Sequence, residues 1–187
     1  MKAMILAAGL GTRLRPHTDD RPKALVEVAG RTLLELTLAR LRSSGICHVI
    51  INTHHFADML ADYLHAHADF GMNIEISREE VLLDTGGGLK QAAHFFLGTS
   101  GDADEPFLLH NVDVLSDIDF SAMLSFHREN RGLATLAVQD RPTSRYLLFD
   151  DHDLLCGRRP GSDGAPEPPL SRGRRSATRL PGSRRAP

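Results

Sequence analysis

Leu6-Ala7-Ala8-Gly9-Leu10-Gly11-Thr12-Arg13-Leu14-Arg15-Pro16, with Arg21-Pro22-Lys23 shortly after it, is the stretch that decides how this chain is read. A short apolar strand runs into a glycine-rich turn that carries two arginines, and a lysine beside a proline closes the segment. Glycine lets a backbone approach a phosphate with no Cβ in the way, and the freed amides can donate to its oxygens. Arg13, Arg15 and Lys23 supply the positive charge that a triphosphate would need. Two familiar phosphate loops are excluded. A dinucleotide-binding turn requires G-x-G-x-x-G opening a helix, but Leu14 stands at the third glycine position, and Pro16 and Pro22 forbid a regular helix there. A Walker loop requires four residues between its glycines and then Gly-Lys-Ser/Thr, which is absent.

The rest of the chain alternates strands and helices. Strands are expected at residues 2–7, around Val49-Ile50-Ile51, at 72–77 and at 106–110. Thr32 and Glu35 read as a capping box for a helix with Leu34, Leu38 and Leu41 on one face, stopped by Gly45. Phe56, Met59, Leu60, Tyr63 and Leu64 mark a second amphipathic helix. A third is expected from near Gly87 to Phe96, and a fourth from Phe120, capped by Asp119. Two more strands, read as a hairpin, fall at 133–138 and 145–149. Such alternation implies an α/β fold with a mostly parallel sheet and helices on both sides. Ligands then sit at the carboxyl ends of strands, where both Ala7-Ala8-Gly9 and His110-Asn111-Val112-Asp113 emerge.

Asp113 is either the start of an ordinary turn or a strand-end carboxylate placed to hold a magnesium ion. Asp84-Thr85-Gly86-Gly87-Gly88-Leu89 is a second glycine cluster, either a plain flexible turn or a helix end with amides open to a ligand. Glu79 and Glu80 read as a solvated turn. His54, His55, His65 and His67 lack the convergence that a zinc site needs.

These segments together resemble the sugar-phosphate nucleotidyltransferase family. Leu6 to Leu14, Pro16, Thr18, Pro22-Lys23 and Leu25 are in register with its opening pattern, L-A-A-G-x-G-T-R-L-x-P-x-T followed by P-K-x-L. The resemblance implies a Rossmann-like three-layer sandwich of the glycosyltransferase-A-like type, and a reaction joining a nucleoside triphosphate to a sugar 1-phosphate. It implies that Arg13 and Lys23 are catalytic and that Ala8, Gly9, Gly11, Thr12, Arg13 and Asn111 bind the nucleotide. Thr85, Gly86 and Gly87 would read the base, and Asp113 would hold Mg2+. Within the family the nearest likeness is to small bacterial enzymes acting on N-acetylmuramate or mannose 1-phosphate, with base and sugar left open.

Composition divides the chain. The net charge of −2 over 187 residues conceals a body, 1–156, at −8, and a stretch, 157–187, at +6. That stretch holds eight arginines, no lysine and only Leu170 and Leu180 as large apolar residues, so it is expected to be disordered. Either it is a basic tail, or it is an out-of-frame stretch; arginine, proline, glycine and alanine from GC-rich codons favour the second. The resemblance covers about 2–156. The family's later strands, which build the sugar pocket and bring a second metal-binding aspartate, have no counterpart in Asp117, Asp150, Asp151 or Asp153. The expectation is therefore a nucleotidyltransferase domain, 1–156, incomplete at its C-terminus and weak or inactive in catalysis, or else a non-catalytic nucleotide-binding module. No secretory signal, membrane span or nucleic-acid partner is indicated, and the cytoplasm is the default. Cys47 reads as a small hydrophobe within a strand, with no disulfide framework.

Overall fold

The computed structural model describes residues 1–97, 105–139, 145–160 and 178–179, in two units, Met1–Ser116 and Asp117–Pro187. In the first unit β1 (Ala3–Leu6) leads to the glycine-rich bend. A small hairpin follows, β2 (Glu27–Val28) with β3 (Arg31–Thr32), and then α1 (Leu33–Ser43), β4 (His48–Thr53), α2 (Ala57–Ala66) and β5 (Asn73–Arg78). α3 (Asp84–Gln91), α4 (Ala93–Leu97) and β6 (Leu108–Asn111) complete it.

The four long strands form one parallel sheet in the order β5-β4-β1-β6. The chain moves outward from β1 to β4 and β5, then returns past β1 to β6. Right-handed crossovers therefore put α1 and α2 on one face and α3 and α4 on the other. The packing agrees. Met4 and Ile50 bury against Ala92, with Leu89, Phe95 and Phe96 beside them. The opposite-facing Ala3, Ile5, Val49 and Ile51 are also fully buried, as are Leu34, Leu38 and Leu41 of α1. Both faces are covered, which is why β1 and β4 read as unbroken apolar runs.

Local signals account for most boundaries. The Glu35 amide donates to Thr32 Oγ1 at 3.1 Å, the forward half of the expected capping box. The return half is replaced, because the Glu35 carboxylate instead takes Arg31 Nε at 2.7 Å. α1 ends in a Schellman closure: Gly45 at φ 76, its amide on Arg42 O at 3.0 Å and the Ile46 amide on Leu41 O at 2.9 Å. α2 starts one residue after Phe56, which sits at φ 57, and buries Leu60 and Leu64 while Met59 stays 41% exposed. Cys47 precedes β4 and is exposed, so it is not the buried strand residue that the sequence suggested.

The expected third helix is two helices. α3 begins at Asp84, three residues before Gly87, so the glycines occupy its first turns and do not precede it. Ala92, fully buried, marks the break before α4.

In the second unit Asp119 caps α5 (Phe120–Asn130), accepting the Ser121 and Ala122 amides at 2.8 and 3.0 Å. The strand expected at 133–138 is reduced to β7 (Thr135–Leu136). The antiparallel hairpin joins β8 (Arg145–Phe149) to β9 (Leu155–Pro160), and β7 pairs instead in parallel with β10 (Thr178–Arg179). β9 runs on past Cys156. The expectation of disorder over 157–187 otherwise lies outside the described residues.

Candidate active site

Parallel register lines up the strand ends. Leu6 stands beside Asn52 on β4 and Asn111 on β6, and Asn52 stands beside Ser77 on β5. β1 and β6 flank the point where the strand order reverses, the crevice at which open α/β sheets hold ligands. A cavity of about 140 Å³ opens there, lined by Leu6, Ala8, Gly9, Lys23, Asn52, Glu79, Leu82, Asp84, Thr85 and Asn111.

The loop after β1 is held in its bend by identifiable contacts. Gly11 lies at φ 66, and a Cβ on it would stand 2.8 Å from Thr18 Cγ2, so only glycine fits. Buried Thr18 closes the bend by donating from Oγ1 to Gly11 O at 2.9 Å, and the Leu14 amide donates to the same oxygen at 2.8 Å. Pro22 then starts a single turn, Lys23–Leu25, whose Ala24 and Leu25 are buried. That anchor turns Lys23 back over Gly9, where a Cβ would meet the lysine Nζ at 3.5 Å. Lys23 Nζ faces Asp113 Oδ1 at 3.5 Å, with the two side chains 12% and 29% exposed. A mostly covered cation that lines the cavity thus pairs with a carboxylate beside it.

Of the residues singled out by sequence, Ala8, Gly9, Lys23, Thr85 and Asn111 line this cavity, and Asp113 adjoins it through Lys23. Gly11, Thr12 and Arg13 form the outer bend, with Thr12 and Arg13 exposed and outside the lining. Gly86 faces open space and Gly87 packs on Leu83, so neither glycine lines it.

Sequence reading missed Asn52, Leu82 and Glu79. Glu79 is not part of a solvated turn. It is 4% exposed, accepting Asn52 Nδ2 at 2.8 Å and the Leu83 amide at 3.0 Å, whereas Glu80 is exposed. The available signal for Asn52 was an amide closing the otherwise apolar run Val49-Ile50-Ile51.

Buried His110 on β6 has its pKa lowered, chiefly by burial and in smaller part by the Arg40 charge, against the opposing Asn111 backbone and Asp113. His54 Nδ1 bonds to Glu79 O at 2.8 Å, and His67 Nδ1 bonds to Tyr63 O at 2.8 Å while its ring stacks on Phe70. Among the described residues no three His, Cys, Asp or Glu side chains converge to hold an ion unaided. A cation at Asp113 would have to share its shell with phosphate oxygens and water, which is the usual way Mg2+ is bound. A lone strand-end carboxylate fits that requirement.

A larger cavity of about 510 Å³ lies along α1, between Arg31, Leu38, Arg42, Phe70 and Met72. Both of its guanidinium groups are engaged, Arg31 with Glu35 at 2.7 Å and Arg42 with Phe70 O at 3.0 Å.

The family model described as nucleotidyl transferase matches residues 2–148. The chain belongs to the nucleotidyl transferase family. Among its relatives is the N-acetylmuramate alpha-1-phosphate uridylyltransferase of Neisseria meningitidis serogroup B. The two are 44% identical over 123 residues, covering 65% of this chain and 51% of the relative. The enzyme of the same name from Caulobacter vibrioides is 46% identical over 114 residues, covering 59% and 45%. This nucleotidyl transferase chain therefore spans about half the length of these curated relatives. The crystal structure of HddC from Yersinia pseudotuberculosis, complexed with GMP-PN, superposes with a TM-score of 0.68 at 23% identity, covering 84% of this chain and 68% of that one. That likeness establishes the α/β, glycosyltransferase-A-like fold. No helix among the described residues is long and apolar enough to cross a membrane.

Proposed function

We propose that this nucleotidyl transferase binds UTP in the crevice between β1 and β6 and transfers its uridylyl group to N-acetylmuramate 1-phosphate, releasing pyrophosphate. The observation that carries the reading is the placement of Lys23 over Gly9 and against Asp113, at the switch point of the sheet. The choice of base and sugar follows the names of the two uridylyltransferases that share 44% and 46% of aligned residues with it. A cytoplasmic location accords with these substrates.

The acceptor's phosphate oxygen forms a bond to the α-phosphorus as the α–β anhydride bond breaks, and the electron pair leaves with pyrophosphate. The nucleophile is already an anion, so a strong base is unnecessary. What the chain must supply is alignment of two polyanions and compensation of their charge. The amides around Ala8 and Gly9 face the phosphates, and Lys23 reduces the repulsion between nucleotide and acceptor. Arg13, on the outer bend, meets the terminal phosphates when they extend beyond the cavity. Thr85, at the start of α3, faces the base, with Gly86 and Gly87 keeping that turn free of side chains, and Asn111 faces the nucleotide from β6. Asp113 would hold Mg2+, which when bound neutralises phosphate charge and polarises the α-phosphorus.

The test pairs calorimetric titration of UTP, with and without Mg2+, with pyrophosphate-release assays using N-acetylmuramate, mannose and glucose 1-phosphates. UTP should bind in a Mg2+-dependent manner that Asp113→Asn abolishes, and release should be fastest with N-acetylmuramate 1-phosphate. Binding without release for any acceptor would reduce the chain to a nucleotide-binding module. No binding of any nucleoside triphosphate would overturn the reading.

A further inference from the structure

Asn52 and Glu79 belong to no motif singled out in the sequence, yet they join the two walls of the cavity. The Ala7 N–H donates to Asn52 Oδ1 at 2.8 Å, Asn52 Nδ2 donates to Glu79 Oε1 at 2.8 Å, and the Leu83 N–H donates to Glu79 Oε2 at 3.0 Å. Both side chains are almost wholly buried, at 3% and 4% exposure. One end of this chain of bonds is the backbone just before Ala8-Gly9, and the other is the backbone just before Asp84-Thr85. Both stretches line the cavity, and the nucleotide reading above assigns the first to the phosphates and the second to the base.

The order of donors and acceptors is forced. Both ends are backbone N–H groups, which only donate. An amide side chain takes a bond at its oxygen and gives one at its nitrogen, so it cannot reverse the direction of the series. One member must accept at both ends, and a carboxylate is the group that does so. Glu79 fills that place. The pair is also roofed closely: a Cβ on Gly88 would lie 2.6 Å from Glu79 Oε1 and 2.7 Å from Asn52 Nδ2. The third glycine of the cluster is thus spent on closing α3 over the pair.

We propose that Asn52 and Glu79 are positioning residues that fix the spacing between the phosphate-holding and base-holding walls, so that a ligand touching both is recognised as one object. The proposal rests on the nucleotide reading above. It requires the pair to matter for UTP, which spans both walls, and not for inorganic tripolyphosphate, which touches one.

The test uses N52D, E79Q and the double variant N52D/E79Q in the full chain. Each single change breaks the donor–acceptor order. In the double variant the carboxylate at position 52 accepts from the Ala7 N–H and from the amide at position 79, whose oxygen still accepts from the Leu83 N–H. The order is restored with the same total charge. Each single variant should raise the Kd for UTP about 10- to 100-fold, as expected for one or two buried hydrogen bonds lost. The Kd for tripolyphosphate should stay within about twofold, and the double variant should recover most of the UTP affinity. Equal losses for UTP and tripolyphosphate, single variants that bind as the parent does, or a double variant no better than the singles would overturn the proposal. If the singles do not fold, a folded double variant with near-parental UTP affinity supports it, and an unfolded one overturns it. Hydrogen exchange of the ligand-free chain separates this from the nucleotide reading. Ala7 and Leu83 amides should be protected in the parent and the double variant and should exchange faster in the singles, which lose the 52–79 bond or one end bond of the series, whether or not UTP binds. Rapid exchange of both amides in the parent would refute the relay by itself.

Discussion

Replacing Lys23 with methionine keeps the aliphatic stem and removes the charge that faces Asp113. At 3.5 Å and an effective dielectric of about 20, such a pair attracts with about 5 kcal/mol before any desolvation is counted. Desolvation and the ordering of the lysine cancel most of this, and ion pairs that keep some solvent contact net about 1 kcal/mol. The fold should therefore survive, with urea unfolding showing a loss of about 1 kcal/mol and a Tm lower by about 2–4 °C. The ligand loses far more. A charge-assisted contact to phosphate in a covered site is worth about 2–3 kcal/mol, so UTP affinity should fall on the order of 100-fold. Pyrophosphate release should fall at least as far, because the same charge opposes repulsion between two anions as they meet. Titration calorimetry and urea unfolding on one preparation read both effects. UTP affinity within threefold of the parent, with the fold intact, would refute the role assigned to Lys23.

Gly11→Ala should destabilise the chain by about 1–3 kcal/mol in urea unfolding, since its φ of 66 and the 2.8 Å approach of Thr18 Cγ2 both oppose a side chain. Gly9→Ala, whose Cβ would meet only Lys23 at 3.5 Å, should cost less than about 0.5 kcal/mol; the reverse ranking would show that the bend has been misread. Acidification gives a separate check. Burial holds the His110 pKa below the usual value of about 6.5, so the unfolded chain takes up that proton first. Its contribution should be neutral above about pH 6.5 and turn against folding as the pH drops below that value, until the folded pKa is passed. Exposed His94, with its pKa raised by Glu75, works in the opposite direction but is discounted by solvent screening. Stability measured from pH 7.5 to 5.5 should decline, and His110→Gln should flatten the decline; an unchanged slope in that variant would contradict the assignment.

The features that the sequence made legible are those governed by local rules. Apolar runs marked β1, β4 and β6, Thr32 and Asp119 marked helix starts, and Gly45 marked a helix end. The bend after β1 was legible because Gly11, Pro16 and Pro22 leave the backbone few alternatives. Tertiary packing decided the rest. Three successive glycines argue against a helix, by about 1 kcal/mol each relative to alanine, yet α3 includes them because Gly87 and Gly88 pack where a Cβ would collide. Strand β5 hid Glu79 for a related reason. Alternation places Asn73, Glu75, Ser77 and Glu79 on one side, which reads as a solvent face. α3 and α4 cover part of that side with polar partners: His94 meets Glu75, Gln91 Nε2 meets Ser77 Oγ at 3.3 Å, and Gly88 covers Glu79. A polar stripe matched by a polar helix face leaves no hydrophobic periodicity to find.

On the proposed reading, the loop after β1 cradles a triphosphate, with Lys23 and Asp113 as its charged partners across the switch point of the sheet. A crystal structure of the chain grown with a non-hydrolysable UTP analogue and Mg2+ tests it most directly. Phosphates should lie against the Ala8 and Gly9 amides, with Lys23 within hydrogen-bond reach of a phosphate oxygen and the cation on Asp113. A nucleotide seated elsewhere, for instance in the α1 cavity beside Arg42 and Phe70, with the loop after β1 free of phosphate, would contradict it.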